Sequence, residues 1–238
     1  MNSNNLESSV SNEPNIRAGF SARYLPSLAP FIARNEIRYY LCGVCIEKAE
    51  IGGVYVIATD GHCMAVVHDA QGTIEGAQRV IIQAPAALVS AAKRAKPFGE
   101  LPQKILLDGK RVRIAVDFSV NGAGEAYVQA GDSVIEGKFP DWRQIVPDFD
   151  LLKRGAFAGD VSVNGFYLAR LAKVVGRNFA GVTLWQEDPK RAVVIQVNAV
   201  PEMFIAIMPM HGESDDLQRS RFMPFRPVPK QKARLAAV

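Results

Sequence analysis

The chain holds few residues whose types and spacing could do chemistry. Cys42-Gly43-Val44-Cys45 is a CxxC pair, a pattern used for dithiol redox couples or for half of a zinc site. A redox pair of that kind usually opens a helix, where the N-terminal dipole stabilises a thiolate. This one lies inside Tyr39–Glu47, a β-like run, and in a strand residues three apart point to opposite faces. The two sulfurs then diverge. There is no second CxxC, and Cys63 is isolated, so the reading is three reduced thiols acting as small buried hydrophobes. His62 and His68 are six apart, with Asp60 and Asp69 nearby, and on one strand they would share a face. Gly61 favours a turn at that point, however, and three histidines in the whole chain argue against a multi-histidine metal site. The sequence contains no P-loop and no GxSxG elbow. Asn121-Gly122-Ala123-Gly124 is followed by no helical pattern and reads as a hairpin loop. No catalytic residue, metal site or cofactor is assigned, and the chain is not read as an enzyme.

The elements that would position these residues recur. Ser21–Arg34 has Leu25, Leu28, Ala29 and Ile32 at helical spacing, with Pro26 suited to a first turn and Pro30 placed to kink or split the helix. Strand-like runs follow at Tyr39–Glu47, Val54–Ala58 and Met64–Val67. A second pass starts at Arg79–Ile82. It continues through a helix at Ala86–Lys96, opened by Pro85 and ended by Pro97 and Gly99, into strands at Lys104–Leu107, Arg111–Val116, Ala126–Ala130 and Ser133–Ile135. Asp108-Gly109 marks a hairpin turn. A third pass has a strand at Asp160–Val163, Asn164 as N-cap, a helix at Phe166–Val175 with Leu168, Leu171, Ala172 and Val175 on one face, and Gly176 as its C-terminal cap. Strands come after it at Gly181–Gln186, Ala192–Asn198 and Met203–Met208. The expected fold is α+β: three strand–helix–strands units, with helices on one face of antiparallel sheets. Two units can share a core, and the third has no partner within the chain.

Residues 1–15, polar and rich in Asn and Ser, read as a disordered leader without the pattern of a signal peptide. Residues 16–147 read as a two-unit domain, 148–211 as a one-unit half domain, and 212–238 as a flexible basic tail with Arg219, Arg221, Arg226, Lys230, Lys232 and Arg234 among prolines. No apolar run reaches membrane-spanning length, and a cytoplasmic, membrane-free protein is expected. The net charge of +4 on 238 residues is mild. Its distribution says more. The second helix carries Lys93, Arg94 and Lys96, the third Arg170, Lys173 and Arg177, and the first is flanked by Arg23 and Arg34, with acidic residues nearly absent. Either these helices form one continuous positive surface, or the basic residues complement helix dipoles in last turns.

Four strings in order carry a family resemblance. They are Glu36-Ile37-Arg38-Tyr39-Tyr40-Leu41-Cys42-Gly43, Ala58-Thr59-Asp60-Gly61-His62, the run from Glu136-Gly137-Lys138-Phe139-Pro140-Asp141-Trp142-Arg143 to Pro147, and Met208-Pro209-Met210. Together they resemble the bacterial DNA sliding clamp, the beta subunit of DNA polymerase III, over residues 16–211. The resemblance implies the DNA-clamp fold, with paired units whose helices line a central hole and whose sheets form the outer wall. It implies a non-enzymatic processivity factor in DNA replication, with duplex DNA held through its phosphates, DNA polymerase and other clamp-binding peptides as partners in protein–protein interaction, and a clamp loader. It also implies a partner-peptide groove at Leu41, Thr59, Gly61, His62, Cys63, Met64, Pro140, Gln144, Ile145, Met208, Pro209 and Met210. The chain departs from the family's pattern where Cys63-Met64 replaces Arg-Leu, where Gln144 replaces Arg, and where His211-Gly212 replaces a final Arg-Leu. These departures bear on peptide specificity. Nothing in the chain matches the family's first domain or the first half of its last. Three units per chain would need four chains for a ring of twelve, with the orphan unit pairing between chains in a homo-oligomer. The alternative is a clamp-fold module that captures clamp-binding peptides, as regulator or competitor, without encircling DNA.

Overall fold

The computed structural model describes residues 15–34, 36–95, 101–116, 127–129, 131–146, 161–175, 181–188 and 190–210. Lys96, Arg177, Gly176, Pro97, Asn121–Gly124, the leader up to residue 14 and the tail 212–238 lie outside the described residues.

Strand β1 (Arg17–Ser21) leads into helix α1 (Leu25–Leu28), flanked by 3-10 turns at Ala22–Tyr24 and Ala29–Phe31. The single helix expected over Ser21–Arg34 is therefore three short pieces. Pro26 sits in the first turn of α1, Pro30 has no N–H to continue it, and the chain is extended by Ile32. The run expected as a strand from Tyr39 starts as a 3-10 turn at Tyr39–Leu41, and β2 (Gly43–Lys48) begins after it. Next come β3 (Val54–Thr59), β4 (Cys63–Asp69) and the short β5 (Thr73–Glu75). The second pass holds β6 (Arg79–Gln83), α2 (Ala86–Arg94) with Pro85 at its N-cap, β7 (Lys104–Asp108), β8 (Arg111–Ala115) and β9 (Tyr127–Val128). Asp108 pairs with Arg111 across the β7–β8 hairpin, as its Asp-Gly turn predicts. The strand expected at Ser133–Ile135 contributes only a bridge from Val134 to Ile82.

In the third pass residues 161–163 form no regular strand, against expectation. Helix α3 (Gly165–Val175) is capped by Asn164, whose Oδ1 accepts from the Phe166 N–H at 2.9 Å. Strands β10 (Val182–Trp185), β11 (Val193–Val197) and β12 (Met203–Ile207) follow.

The strands form two antiparallel sheets, ordered β5-β1-β7-β8-β9 and β10-β11-β12-β4-β3-β2-β6. The inner strands of the seven-stranded sheet are buried on both faces, so they read as near-continuous apolar runs. One set of alternate residues, including Val44, Val56, Ala65, Ile195 and Ile205, meets the helices and the smaller sheet in the main core. The other set, including Cys45, Ile57, Met64 and Ala206, forms an outer cluster roofed by Phe139 and Trp142. Helix α1 touches α2 on one side and α3 on the other. The expected face of α3 is rotated: Val174 is buried, Tyr167, Leu171 and Val175 pack on the core, and Leu168 and Ala172 are exposed. Phe166, Tyr167, Leu168, Leu171, Val174 and Val175 offer two overlapping apolar faces at helical spacing, and a buried ion pair of Arg170 goes with the one observed. No helix among the described residues is long and apolar enough to cross a membrane.

Candidate functional site

The Thr-Asp-Gly-His string is the turn between β3 and β4, and its residues are needed for that turn. Thr59 Oγ1 donates to the Cys63 carbonyl and accepts from the Gly61 N–H, each at 3.0 Å. Asp60 Oδ1 accepts from the N–H groups of His62 (3.0 Å) and Cys63 (2.9 Å). Gly61 has φ +90°, and a Cβ there would come within 2.8 Å of the Arg38 guanidinium. The other Asp60 oxygen meets Arg170 at 2.7 Å, both side chains only 14% exposed, which ties α3 to the turn. The His62 carbonyl accepts from the Met208 N–H at 3.0 Å, so the turn also holds the start of Met208-Pro209-Met210.

The string from Gly137 to Arg143 straps the outer face of the large sheet. Gly137, at φ +140°, passes so close to Tyr40 that a Cβ would lie 2.9 Å from it. Phe139 is fully buried and Trp142 nearly so. Trp142 meets Tyr55 edge-on at 5.2 Å, and the Arg143 guanidinium lies over the Trp142 ring. Arg143 pairs with the buried Glu47 and, at 2.8 Å, with Glu50, while Arg79 reaches Glu47 at 3.1 Å. Asp141 accepts from the Arg143 N–H and opens the 3-10 turn Trp142–Ile145.

The expected groove residues divide by burial. Leu41 and Met64 are buried in the outer cluster, with Ile145 packed at its edge. Thr59 is buried within its turn. Gly61, His62, Pro140, Gln144 and Met208 are exposed, Pro209 is half-buried, and Met210 is 56% exposed. Cys63 does not line this face. It points into the main core, where burial pushes its thiol up to about 12. Burial does the same to Cys45. Cys42 is half-buried just after the 3-10 turn Tyr39–Leu41 and Cys45 lies in β2, and no cluster of three or more metal-binding side chains occurs among the described residues.

Of the basic residues, Lys93 and Arg94 are exposed in the last turn of α2 and Lys173 is exposed on α3. Arg34 is exposed beside the 370 Å³ cavity that Arg170, Lys173 and Phe166 also line. Arg23 is exposed but pairs with Glu202 at 3.0 Å. Arg170 is committed to Asp60. The strap's buried ion pairs and the Asp60–Arg170 link were invisible in the sequence, where only charged residues far apart in the chain could have hinted at them.

No protein-family model matches the chain. It is 27% identical over 167 residues to the beta sliding clamp of Escherichia coli, covering 66% of this chain and 39% of that protein. The beta sliding clamp of Salmonella typhimurium matches at 27% over 167 residues, 70% of this chain and 41% of that one. Among solved structures, the Bartonella birtlesii sliding clamp superposes with a TM-score of 0.60 at 16% identity, covering 87% of this chain and 70% of that one. The Pseudomonas aeruginosa clamp gives 0.58 at 18%, covering 86% and 68%. The chain has the sliding-clamp fold. The family resemblance in the four strings is thereby borne out, as is the α+β architecture with antiparallel sheets. In sliding-clamp terms the third pass continues the sheet of the first through β4 and β12. The chain spans 39% of the length of the curated Escherichia coli clamp it matches.

Proposed function

We propose that this protein is a sliding-clamp-like processivity factor, one that holds duplex DNA without reading its sequence and tethers polymerase or repair partners by short peptides. The observation that carries this reading is the joint similarity, in sequence and in fold, to beta sliding clamps. Lys93, Arg94 and Lys173 lie on helices that sit side by side through α1, so their charges can act on one phosphate backbone. Lys96 and Arg177, read with them in the sequence, lie outside the described residues. The peptide groove would use Leu41 and Met64 as an apolar floor, with Ile145, Met208 and Met210 at its rim; methionine suits a site that accepts several partners. The work is binding, with no bond made or broken, in the cytoplasm where replication proceeds, and a loader would place the protein on DNA.

Retention on nicked circular DNA is the direct test. We expect the protein to stay with the circle through gel filtration and to be lost when the circle is cut; equal loss from both forms refutes enclosure. A second reading is favoured by one observation: Arg23 and Arg170, two of the expected DNA contacts, are already ion-paired within the chain. In that reading the protein captures clamp-binding peptides without circling DNA, and such peptides would bind while retention is absent.

A further inference from the structure

We infer that the third repeat pairs with the third repeat of a second copy of this chain across a two-fold axis. The template for this contact lies within the chain itself. The first and second repeats exchange strands reciprocally: β1 of the first lies antiparallel on β7 of the second, and β6 of the second lies antiparallel on β2 of the first. Helices α1 and α2 touch beside this exchange. Each repeat gives its leading strand to the strand that follows the other's helix.

The third repeat has the same two parts, and both are unmatched among the described residues. Strand β10 follows α3 as β2 follows α1 and β7 follows α2, yet it ends its sheet with nothing on its outer side. The Gly181 carbonyl accepts from the Asn198 N–H at 3.1 Å, and Val182 lies opposite Val197. By antiparallel alternation, the N–H and C=O groups of Val182 and Leu184 then point to the open edge. Residues 161–163 precede α3 as β1 and β6 precede α1 and α2. Val161 and Val163 pack on the main core, and the Ser162 carbonyl accepts from the Met210 N–H at 2.7 Å. Among the described residues, Val161 and Val163 make no backbone hydrogen bond to another strand.

The flank of α3 away from α1 is apolar and bare: Leu168 is 39% exposed with exposed Ala172 one turn on, and Val182 on β10 is 37% exposed, whereas Phe166 turns toward the cavity on the α1 side. Strand β10, Val182-Thr183-Leu184-Trp185, has neither charge nor proline to discourage pairing. A second copy supplies what this repeat lacks and takes what it offers, leading segment to β10 and β10 to leading segment, which is the self-complementarity of an isologous contact. A foreign partner would have to carry both parts. The inference stands on the internal repeat and does not require DNA binding.

The test is sedimentation velocity of the full chain at tens of micromolar, without DNA, with hydrogen exchange at Val182 and Leu184. We expect an even-numbered oligomer with those two amides protected. Leu168→Glu with Ala172→Lys changes only exposed side chains; we expect it to raise the dissociation constant at least tenfold and release the amides, with circular dichroism unchanged. Val182→Pro removes an outward N–H and should weaken association while leaving the β10–β11 ladder in place. A monomer in the wild type overturns the inference, as it would if the chain's own residues 211–238 covered the face. So does an oligomer that survives both variants, or one in which the two amides exchange freely. Because no DNA is present, these outcomes leave the retention test to be judged separately.

Discussion

At Asp60 one carboxylate does two jobs. One oxygen closes the β3–β4 turn through two backbone N–H groups, and the other holds Arg170 of α3 in a largely buried pair. Asparagine keeps the first and loses the second. Asp60→Asn and Arg170→Met should each cost about 2–3 kcal/mol in chemical denaturation, and the double variant much less than their sum, because a charge-assisted contact left half-made strands the remaining group. Additive losses would mean the pair is idle. The turn itself was legible, since an Asp-Gly dipeptide between two apolar runs admits few other readings. Its partner Arg170 was not, because helical spacing alone allowed α3 two orientations. The thiols give a second prediction. Cys45 and Cys63 are raised from 9.0 to about 12 by burial, so the unfolded chain gives up these protons first. Their contribution to stability is intact below about pH 9 and is lost as pH rises toward about 12. Urea midpoints should fall between about pH 8 and about pH 10, and less steeply in the Cys45→Ala/Cys63→Ala variant.

The element that most repays attention is the strap from Gly137 to Ile145. Phe139 and Trp142 give it a hold on the apolar outer face, and Glu47 gives it a charged one, set among Arg79 and Arg143. Trp142→Ala should cost about 3–5 kcal/mol by the cavity it leaves. Since Leu41 and Met64 lie beneath the same cluster, it should also raise susceptibility to limited proteolysis within 131–146. Protection of that segment equal to wild type would show that the strap is held elsewhere. The strands below the strap were legible as apolar runs, and their burial on both faces explains why no polar alternation marked them. Its 3-10 turn was not, because an Asp capping a single short turn leaves no period to read. The proline pair in the first repeat worked the other way: Pro30 foretold that a helical pattern would break, and α1 is four residues long.

For the molecule as a whole, the decisive quantity is where unpaired positive charge remains after the internal pairs are formed. Arg23 and Arg170 are neutralised by Glu202 and Asp60, whereas Lys93, Arg94 and Lys173 are exposed, on neighbouring helices. A net charge of +4 could not have located this face, and the residues of greatest sequence interest, the four strings, lie mainly on turns and the strap. If duplex DNA is held against the helices, each lysine or arginine that meets a phosphate releases about one counterion. The slope of log affinity against log salt then measures how many do so. Changing Lys93, Arg94 and Lys173 together to Glu should reduce that slope by about three and weaken binding to every sequence alike. Changing Arg23 and Arg170 to uncharged residues should leave the slope nearly unaltered, even where stability falls. The comparison is made by fluorescence anisotropy on a fixed duplex across a salt series, with folded fractions matched. An unchanged slope in the triple variant would move the DNA contact off these helices, and an equal loss in the second set would mean that the ion pairs open when DNA arrives.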